Sequence, residues 1–335
     1  MRQQEHPGVL VTGGCGFIGS SLVRRLRKHR WPVTVLDDLS TGYRANLPAD
    51  DDVSFIQGSI ESRRHVREAL RGNRYVVHLA ARAFVPDSFS RPSEFERVNI
   101  GGSRVLLEES ALAGVKRVVV ASSAEVYGDR ETPLIGEEDP TQPVSPYAET
   151  KLAMERLALE VHATGSTSVS VLRLFNAYGP RATHPYLVPE VIRQSTRGSV
   201  IRLGDPKSKR DFCAVADTAN GIERALLSSQ AGGQVFNLGT GIAASVSEVV
   251  EIVGGLVGHE IEIELDRSRL RPTDIRVLRS DGRKARRELA WEPAIGLREG
   301  LGQTLDQYRA AGRWPYETGA PVAPPPIMAG HGSRS

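Results

Sequence analysis

The sequence has 335 residues, with 43 Lys or Arg against 40 Asp or Glu, and a formal net charge of +3 that is spread along the chain. Composition therefore favours an ordinary enzyme with no nucleic-acid or membrane partner. Because two cysteines are too few for a disulfide framework and match no metal spacing, and no signal peptide or membrane-length apolar run is visible, we expect a cytoplasmic protein without a metal site.

The first predicted strand runs directly into a glycine-rich turn, VLVTGGCGFIG, over residues 9–19. Gly13 allows a tight turn, Gly16 lets a pyrophosphate approach the backbone, and Gly19 lets the following helix pack closely on the strand. Residues 20–30 have a helical apolar pattern, and the N-terminus of this helix supplies amide donors for phosphate. The sequence therefore predicts a dinucleotide-binding turn.

The second predicted strand, residues 33–36, ends at Asp37, which is followed by Asp38. An acidic residue at this position accepts hydrogen bonds from the ribose hydroxyls of adenosine and repels a 2′-phosphate. We therefore expect the cofactor to be NAD and not NADP.

Strands and helices continue to alternate up to residue 174, which predicts an α/β fold with a Rossmann doubly wound parallel sheet. We assign residues 1–175 to an NAD-binding domain. The further strands are predicted at 53–56, 75–80, 117–121 and 169–174, and the helices at 62–70, 92–113 and 146–162.

Beyond residue 175 the loops become longer and richer in Pro, Gly, Arg and Asp. We assign 176–319 to a smaller α/β substrate-binding lobe, in which some strands, such as 234–238, return to the main sheet. Helices are predicted at 187–196, 217–228, 246–257 and 297–310. The composition of residues 320–335 cannot build a core, so we expect a disordered tail there.

Tyr147 and Lys151 are spaced i and i+4, so both project from one face of the predicted helix 146–162. An ammonium held near a phenol lowers the phenol pKa from about 10 toward neutrality, as a general base for a sugar hydroxyl requires. Ser123, at the end of the preceding strand, can hydrogen-bond the same substrate oxygen. These three residues are the predicted catalytic group.

Several motifs together resemble the extended short-chain dehydrogenase/reductase family, in its nucleotide-sugar epimerase and dehydratase group. The matching segments are TGGCGFIG (12–19), LDDLSTG (36–42), HLAA (78–81), SSAEVYG (122–128), Tyr147 with Lys151, RLFNAYGPR (173–181) and KRDF (209–212). The resemblance implies a tightly held NAD that oxidises C4 of a nucleoside-diphosphate sugar and returns the hydride. It also implies a homodimer in which helices 92–113 and 146–162 pair with those of a second copy.

The resemblance also assigns roles to individual residues. Tyr147 would be the base, Lys151 would tune it and bind the nicotinamide ribose, and Ser123 would orient the C4 hydroxyl. Further cofactor contacts would come from Phe17, Ile18, Ser59, Ile60, Leu79, Ala80, Ala81 and Asn99. Substrate contacts would come from Phe84, Ser88, Asn176, Arg210 and Arg271, the two arginines holding the phosphates.

The reaction itself stays open at the level of sequence. Family members often have an Asp where this chain has Ser59, and some dehydratases place an acid where this chain has Ala124. Glu125 keeps elimination possible, whereas Ala124 favours a 4-epimerase, and the segment LRPTDI (270–275) resembles a dehydratase branch. We therefore expect an NAD-dependent nucleotide-sugar 4-epimerase. The alternatives are a 4,6-dehydratase or related decarboxylase that uses Glu125, and a non-catalytic NAD-binding regulator.

Overall fold

The computed structural model describes residues 6–130, 134–270, 273 and 275–311. Its strands are β1 (Gly8–Thr12), β2 (Val33–Asp37), β3 (Val53–Gln57), β4 (Asn73–His78), β5 (Arg117–Ser123), β6 (Ser168–Leu174), β7 (Asn176–Tyr178), β8 (Val200–Leu203), β9 (Lys209–Ala214), β10 (Val235–Leu238), β11 (Ala243–Ser245), β12 (Glu262–Leu265) and β13 (Val277–Leu278).

The helices lie between these strands, as the alternating pattern predicts. They are α1 (Phe17–Lys28), α2 (Arg63–Leu70), α3 (Val85–Ser90), α4 (Pro92–Phe95), α5 (Ser103–Leu112), α6 (Pro146–Ala163), α7 (Leu187–Ser195), α8 (Val215–Leu227), α9 (Val246–Val257), α10 (Arg283–Leu289) and α11 (Leu297–Ala311). Short 3-10 turns cover Arg44–Asn46, Ala124–Tyr127 and Arg267–Arg269, and a π-helical segment covers Glu96–Gly102. Within the described ranges, no helix is both long and apolar enough to cross a membrane.

A seven-stranded parallel sheet with the order β10-β6-β5-β4-β1-β2-β3 forms the centre of the molecule. Helices cover both faces of this sheet, and successive side chains of each strand point to opposite faces. Val9 and Val11 pack on one face with α1 and α8, while Leu10 packs on the other face with α2, α5 and α6. The predicted Rossmann-like α/β fold is confirmed.

The C-terminal half builds a second, smaller core around α7, α9 and α11. Strand β9 pairs with β7, β11 and β13, and β8 pairs with β12. Strand β10 leaves this half and pairs in parallel with β6 in the main sheet. The proposed division at residue 175 stays a prediction, and the expected tail at 320–335 lies outside the described residues.

The long helix predicted over 92–113 is interrupted. A four-residue helix, α4, leads into the seven-residue π-helical segment, and regular α-helix resumes at Ser103. The segment contains Asn99, whose side-chain amide donates to the carbonyl of Arg82 at 3.0 Å and to Thr150 Oγ1 at 3.0 Å. A Cβ at Gly102 would stand 2.6 Å from Ile60 Cδ1. These tertiary contacts hold the wider turn, which residue periodicity alone does not predict.

Candidate active site

One large cavity of about 750 Å³ opens at the carboxyl ends of the main-sheet strands and extends into the smaller lobe. This is where ligands bind in open α/β sheets. Eighteen of the residues predicted from the sequence line it: Gly13, Gly16, Phe17, Ile18, Gly19, Asp37, Asp38, Ile60, Leu79, Ala80, Ala81, Phe84, Ser123, Glu125, Tyr147, Lys151, Asn176 and Arg210.

The glycine turn after β1 has no room for side chains. Gly13 has a φ of +70°, and a Cβ there would meet the backbone nitrogen of Ala80 at 2.7 Å. A Cβ at Gly19 would stand 2.1 Å from the Gly13 carbonyl oxygen. Because Gly16 is the N-cap of α1 and bears no capping side chain, the first amides of this helix are left for a ligand.

Asp37 is held at the end of β2 by two backbone amides. The amide of Cys15 donates to Oδ2 at 2.9 Å, and the amide of Leu39 donates to Oδ1 at 2.9 Å. Burial raises the pKa of this carboxyl, which the two amide hydrogen bonds oppose. Each oxygen keeps a lone pair, so Asp37 can accept further hydrogen bonds from a diol. The neighbouring Asp38 lies 3.7 Å from the Arg82 guanidinium.

Tyr147 and Lys151 lie in the first turns of α6, which begins after Ser145. The Ser145 hydroxyl accepts from the amide of Ala148 at 3.2 Å, and Pro146 occupies the first helical position, so the sequence fixes where this helix starts. Lys151 Nζ donates to the carbonyl of Ala121 at 2.8 Å, and Nζ lies 5.9 Å from the centroid of the Tyr147 ring. The expected pair therefore meets on one face of the helix.

The sequence predicts that Lys151 lowers the pKa of Tyr147. With the protein's own side chains around it, this prediction is wrong. Burial raises the pKa of Tyr147 to about 12, a hydrogen bond with Ser123 opposes this rise, and the charge of Glu125 adds to it. Burial also lowers the pKa of Lys151 to about 8, against the attraction of Glu155. The ammonium binds the Ala121 carbonyl and not the phenol, which is why it does not offset the burial of Tyr147.

Glu125 reaches the cavity from the 3-10 turn that follows β5. The Ser123 hydroxyl caps this turn by accepting from the Glu125 amide at 3.2 Å. Ala124 also lines the cavity but brings no acid to it. Ser123, Tyr147 and Glu125 thus surround one region, which we call the sugar end of the cavity.

Three aromatic rings cover the sugar end. The His184 ring stacks on Phe84 with centroids 5.4 Å apart, and Tyr186 lies 6.0 Å from Phe84 and 5.4 Å from His184. Burial lowers the pKa of His184 to about 4, so this ring is neutral at pH 7. Of these three rings, only Phe84 is predicted from the sequence to contact substrate. The segment THPY (183–186) carries two rings next to a proline, but nothing local to it shows that it folds over Tyr147.

Two further residues predicted to contact substrate, Asn176 and Arg210, lie at the border between the sheet and the smaller lobe. Arg210 is buried and its Nη1 donates to the carbonyl of Ile275 at 2.6 Å. Arg269, which no sequence motif marks as a site residue, lines the same region and pairs with Glu190 at 3.0 Å. Arg271 lies outside the described residues.

Three predicted residues do not line the cavity. The Ser59 hydroxyl accepts from the Glu61 amide at 3.1 Å, within a local turn. Ser88 is fully buried and donates to the carbonyl of Val85 at 2.7 Å. Asn99 is also fully buried and accepts from the Arg82 amide at 2.8 Å, so it supports the backbone beside the cavity.

Comparison with known proteins identifies the family. Residues 9–239 match the NAD dependent epimerase/dehydratase family. The chain belongs to this family. The UDP-glucose 4-epimerase of Corynebacterium glutamicum is 34% identical over 303 residues, which cover 85% of this chain and 90% of that protein. The dTDP-glucose 4,6-dehydratase of Streptomyces antibioticus is 32% identical over 330 residues, covering 95% and 98%.

A solved structure agrees with this assignment. MoeE5 in complex with UDP-glucuronic acid and NAD superimposes with a TM-score of 0.83 at 37% identity, covering 91% of this chain and 99% of that one. The extended short-chain dehydrogenase/reductase resemblance is thereby confirmed, and the cofactor is NAD.

The residues present fit NAD. Because the glycine turn carries no side chains, it leaves space for a diphosphate against the amides of α1. Asp37 has free lone pairs for the adenosine ribose. Tyr147 and Lys151 would hold the nicotinamide ribose at the other end of the cleft.

Proposed function

We propose that this chain is a nucleotide-sugar 4-epimerase that acts on a UDP-hexose through a transient 4-keto sugar. The observation that carries the proposal is the group of side chains at the sugar end. There the Tyr147 phenol hydrogen-bonds Ser123, and Nζ of the buried Lys151 lies 5.9 Å from the centroid of the Tyr147 ring. Support for the nucleotide comes from relatives named UDP-glucose 4-epimerase and from the MoeE5 complexes with UDP-glucuronic acid and UDP-glucose.

Tyr147 removes the proton of the C4 hydroxyl and Ser123 orients that oxygen. When bound, NAD would supply the acceptor for the C4 hydride and the donor that returns this hydride to the opposite face of the sugar. Because burial raises the Tyr147 pKa to about 12 and Lys151 does not offset this rise, the phenolate needs further positive charge nearby. Inversion then requires the 4-keto sugar to turn within the cavity before it is reduced.

The carboxylates of the cavity favour epimerisation over a two-acid elimination. Loss of the C6 hydroxyl needs an acid to protonate the leaving group and a base for the C5 proton. Of the described carboxylates that line the cavity, Glu125 is the one that influences Tyr147, whereas Glu190 is paired with Arg193 at 2.8 Å and with Arg269. Ala124 occupies the position next to Glu125 and has no acid to offer.

A 4,6-dehydratase is the second candidate, and Glu125 is the observation that favours it. Its side chain faces the sugar end, where it could remove the C5 proton, and dehydratases are among the relatives. Incubation with UDP-glucose, UDP-glucuronic acid and dTDP-glucose, followed by NMR of the products, separates the two. We expect UDP-galactose from UDP-glucose; a 4-keto-6-deoxy sugar or a pentose would overturn the epimerase proposal.

We also propose a homodimer built on α5 and α6. Val105, Leu157 and Val161 on these helices are apolar and only partly buried in the single chain. Pairing with a second copy would cover them. Light scattering at micromolar concentration should give twice the chain mass of 36.4 kDa. The mass of one chain would contradict the dimer.

A further inference from the structure

A second cavity of about 270 Å³ lies beside α1 and α8. Helix α11 and the segment 178–181, which follows β7, close it. Four basic side chains line it: Arg24, Arg25, Lys28 and Arg181. No Asp or Glu lines it in the part of the chain that the structure describes. A cavity with this charge attracts anions.

Arg181 is the central group of this second cavity. Its backbone lies in the left-handed region at a φ of 65°, and its side chain lines the cavity. Its Nη2 donates to Ser21 Oγ at 3.2 Å, but its Nε is buried and has no hydrogen-bond partner among the described residues. Burial and repulsion from Arg24 lower its pKa to about 10. A guanidinium in such surroundings is stabilised when an anion joins it.

The neighbouring cations differ in what they already bind. The charge of Arg25 is already balanced, since its Nε pairs with the Glu223 carboxylate at 2.6 Å. Arg24 Nη2 donates to the carbonyl of Asn46 at 3.0 Å, a neutral partner that leaves its charge unbalanced. Lys28 forms no ion pair with the described residues. Two or three uncompensated charges therefore face one cavity, which suits a dianion better than a single carboxylate.

The rest of the wall is neutral. Val215, Ala219 and Ile295 supply apolar surface, and Gln303 and Gln307 of α11 supply amides. We propose that the second cavity is a binding site for a phosphate group, carried by a small organic molecule or free in solution. Guanidinium groups bind the oxygens of phosphate in pairs, and the neutral wall accommodates the remainder of an ester.

The second cavity is separated from the main one by a thin apolar wall of Phe17, Ala182 and Val215. Tyr178 lines both cavities. An anion there would therefore not compete with the ligands of the main cavity. The proposal does not rest on the proposed function, because its decisive residues, Arg24 and Lys28, lie outside the main cavity.

The test is calorimetric titration of the full chain, saturated with NAD and UDP, with inorganic phosphate and separately with glycerol 3-phosphate. We expect one saturable site for at least one probe; tighter binding of the ester would identify an organic phosphate as the ligand, and equal or tighter binding of inorganic phosphate would identify the free ion. Lys28→Gln and Arg24→Gln should each weaken binding by about three- to tenfold, since each removes one charge from an exposed position.

Arg181→Gln should weaken binding by at least about tenfold. Because Arg181 is half-buried and its Nη2 bonds Ser21, its replacement could also impair folding, so the variants of the two exposed residues decide the matter. Arg71→Gln is the matched control, since it removes an exposed arginine that lines neither cavity, and it should bind like the parent protein. The proposal is overturned if neither probe saturates, or if Lys28→Gln and Arg24→Gln bind both probes as tightly as Arg71→Gln does.

Discussion

The two ends of the main cavity are built from different kinds of groups. At the cofactor end, backbone amides and the absence of side chains at Gly13 and Gly19 form the surface, and Asp37 is held by the backbone. At the sugar end, side chains from widely separated segments meet, with Glu125 and His184 as examples. A backbone cradle serves one cofactor throughout a family, whereas a few side chains can change the reaction. Because the family includes both epimerases and dehydratases, we expect the side chains of the sugar end to decide which reaction takes place.

Removal of the Tyr147 hydroxyl tests the sugar end most severely. Tyr147→Phe keeps the ring but removes the base, so we expect turnover to fall by about a hundred- to ten-thousand-fold while NAD stays bound. Product formation is followed by NMR, and NAD is measured after denaturation of the protein. Tyr75→Phe is the control, since this ring packs near Trp31 and does not line the cavity. Normal turnover by Tyr147→Phe would exclude it as the base.

A single methyl group tests the cofactor end. In Gly19→Ala the new Cβ would stand 2.1 Å from the Gly13 carbonyl, so the turn must distort, and we expect NAD binding to be lost and the protein to be destabilised by about 1 to 3 kcal/mol or more. Gly101→Ala is the matched control because nothing lies within 4 Å of its Cβ. Denaturant titration and NAD content measure the two effects. Retention of NAD by Gly19→Ala would contradict the backbone cradle.

The pH dependence of the free energy of unfolding tests the packing around His78, which bonds Thr12 at the end of β1. His78 lies between Thr12 Oγ1 and Ser103 Oγ, each at 2.8 Å, and burial lowers its pKa to about 3, with the Lys151 charge adding to the effect. Because an unfolded histidine titrates near 6.5, unfolding takes up a proton below that pH. The stability gained from the neutral ring is therefore present above pH 6.5 and is lost as the pH falls toward 3.

Urea unfolding at pH 7 and pH 5 measures this loss. Between these values the parent protein should lose about 2 kcal/mol more than His78→Gln, which has no proton to gain at that position. His184, whose pKa is also lowered, is present in both proteins and cancels from the difference. Equal losses in the two proteins would show that His78 is not held neutral.

The smallest effect expected at the sugar end is that of Glu125→Gln. An epimerase has no step at C5, so turnover should change by only a few-fold, through altered charge near Tyr147. A dehydratase would instead stop at the 4-keto stage and lose exchange of the C5 proton with solvent. Turnover of UDP-glucose in deuterated solvent distinguishes these results, and a large loss of turnover would favour the dehydratase.

The contrast between the ends also explains what the sequence could predict. The positions of Gly13, Gly16, Gly19 and Asp37 depend on local geometry, so a short motif predicts where they lie. Tyr147 and Lys151 are likewise read from a spacing of four on one helix. The Tyr147 pKa shift could not be predicted in this way, because it depends on burial by distant segments.

The packing of distant segments accounts for the other differences. Tyr186 reaches the sugar end only because the segment after β7 folds back over the sheet, and the same folding buries the Nε of Arg181. The π-helical interruption around Asn99 similarly depends on contacts with Arg82 and Thr150. The periodicity of the sequence does not predict contacts between segments that are far apart along the chain.

The proposed 4-keto route is tested most directly with UDP-glucose that carries deuterium at C4. If the C4 hydride is removed, stored and returned within one turnover, the UDP-galactose product should retain the deuterium at C4. Mass spectrometry and NMR locate the label. Transfer of deuterium to C6 with formation of a 4-keto-6-deoxy sugar, or loss of the label to solvent in the UDP-galactose product, would contradict the account.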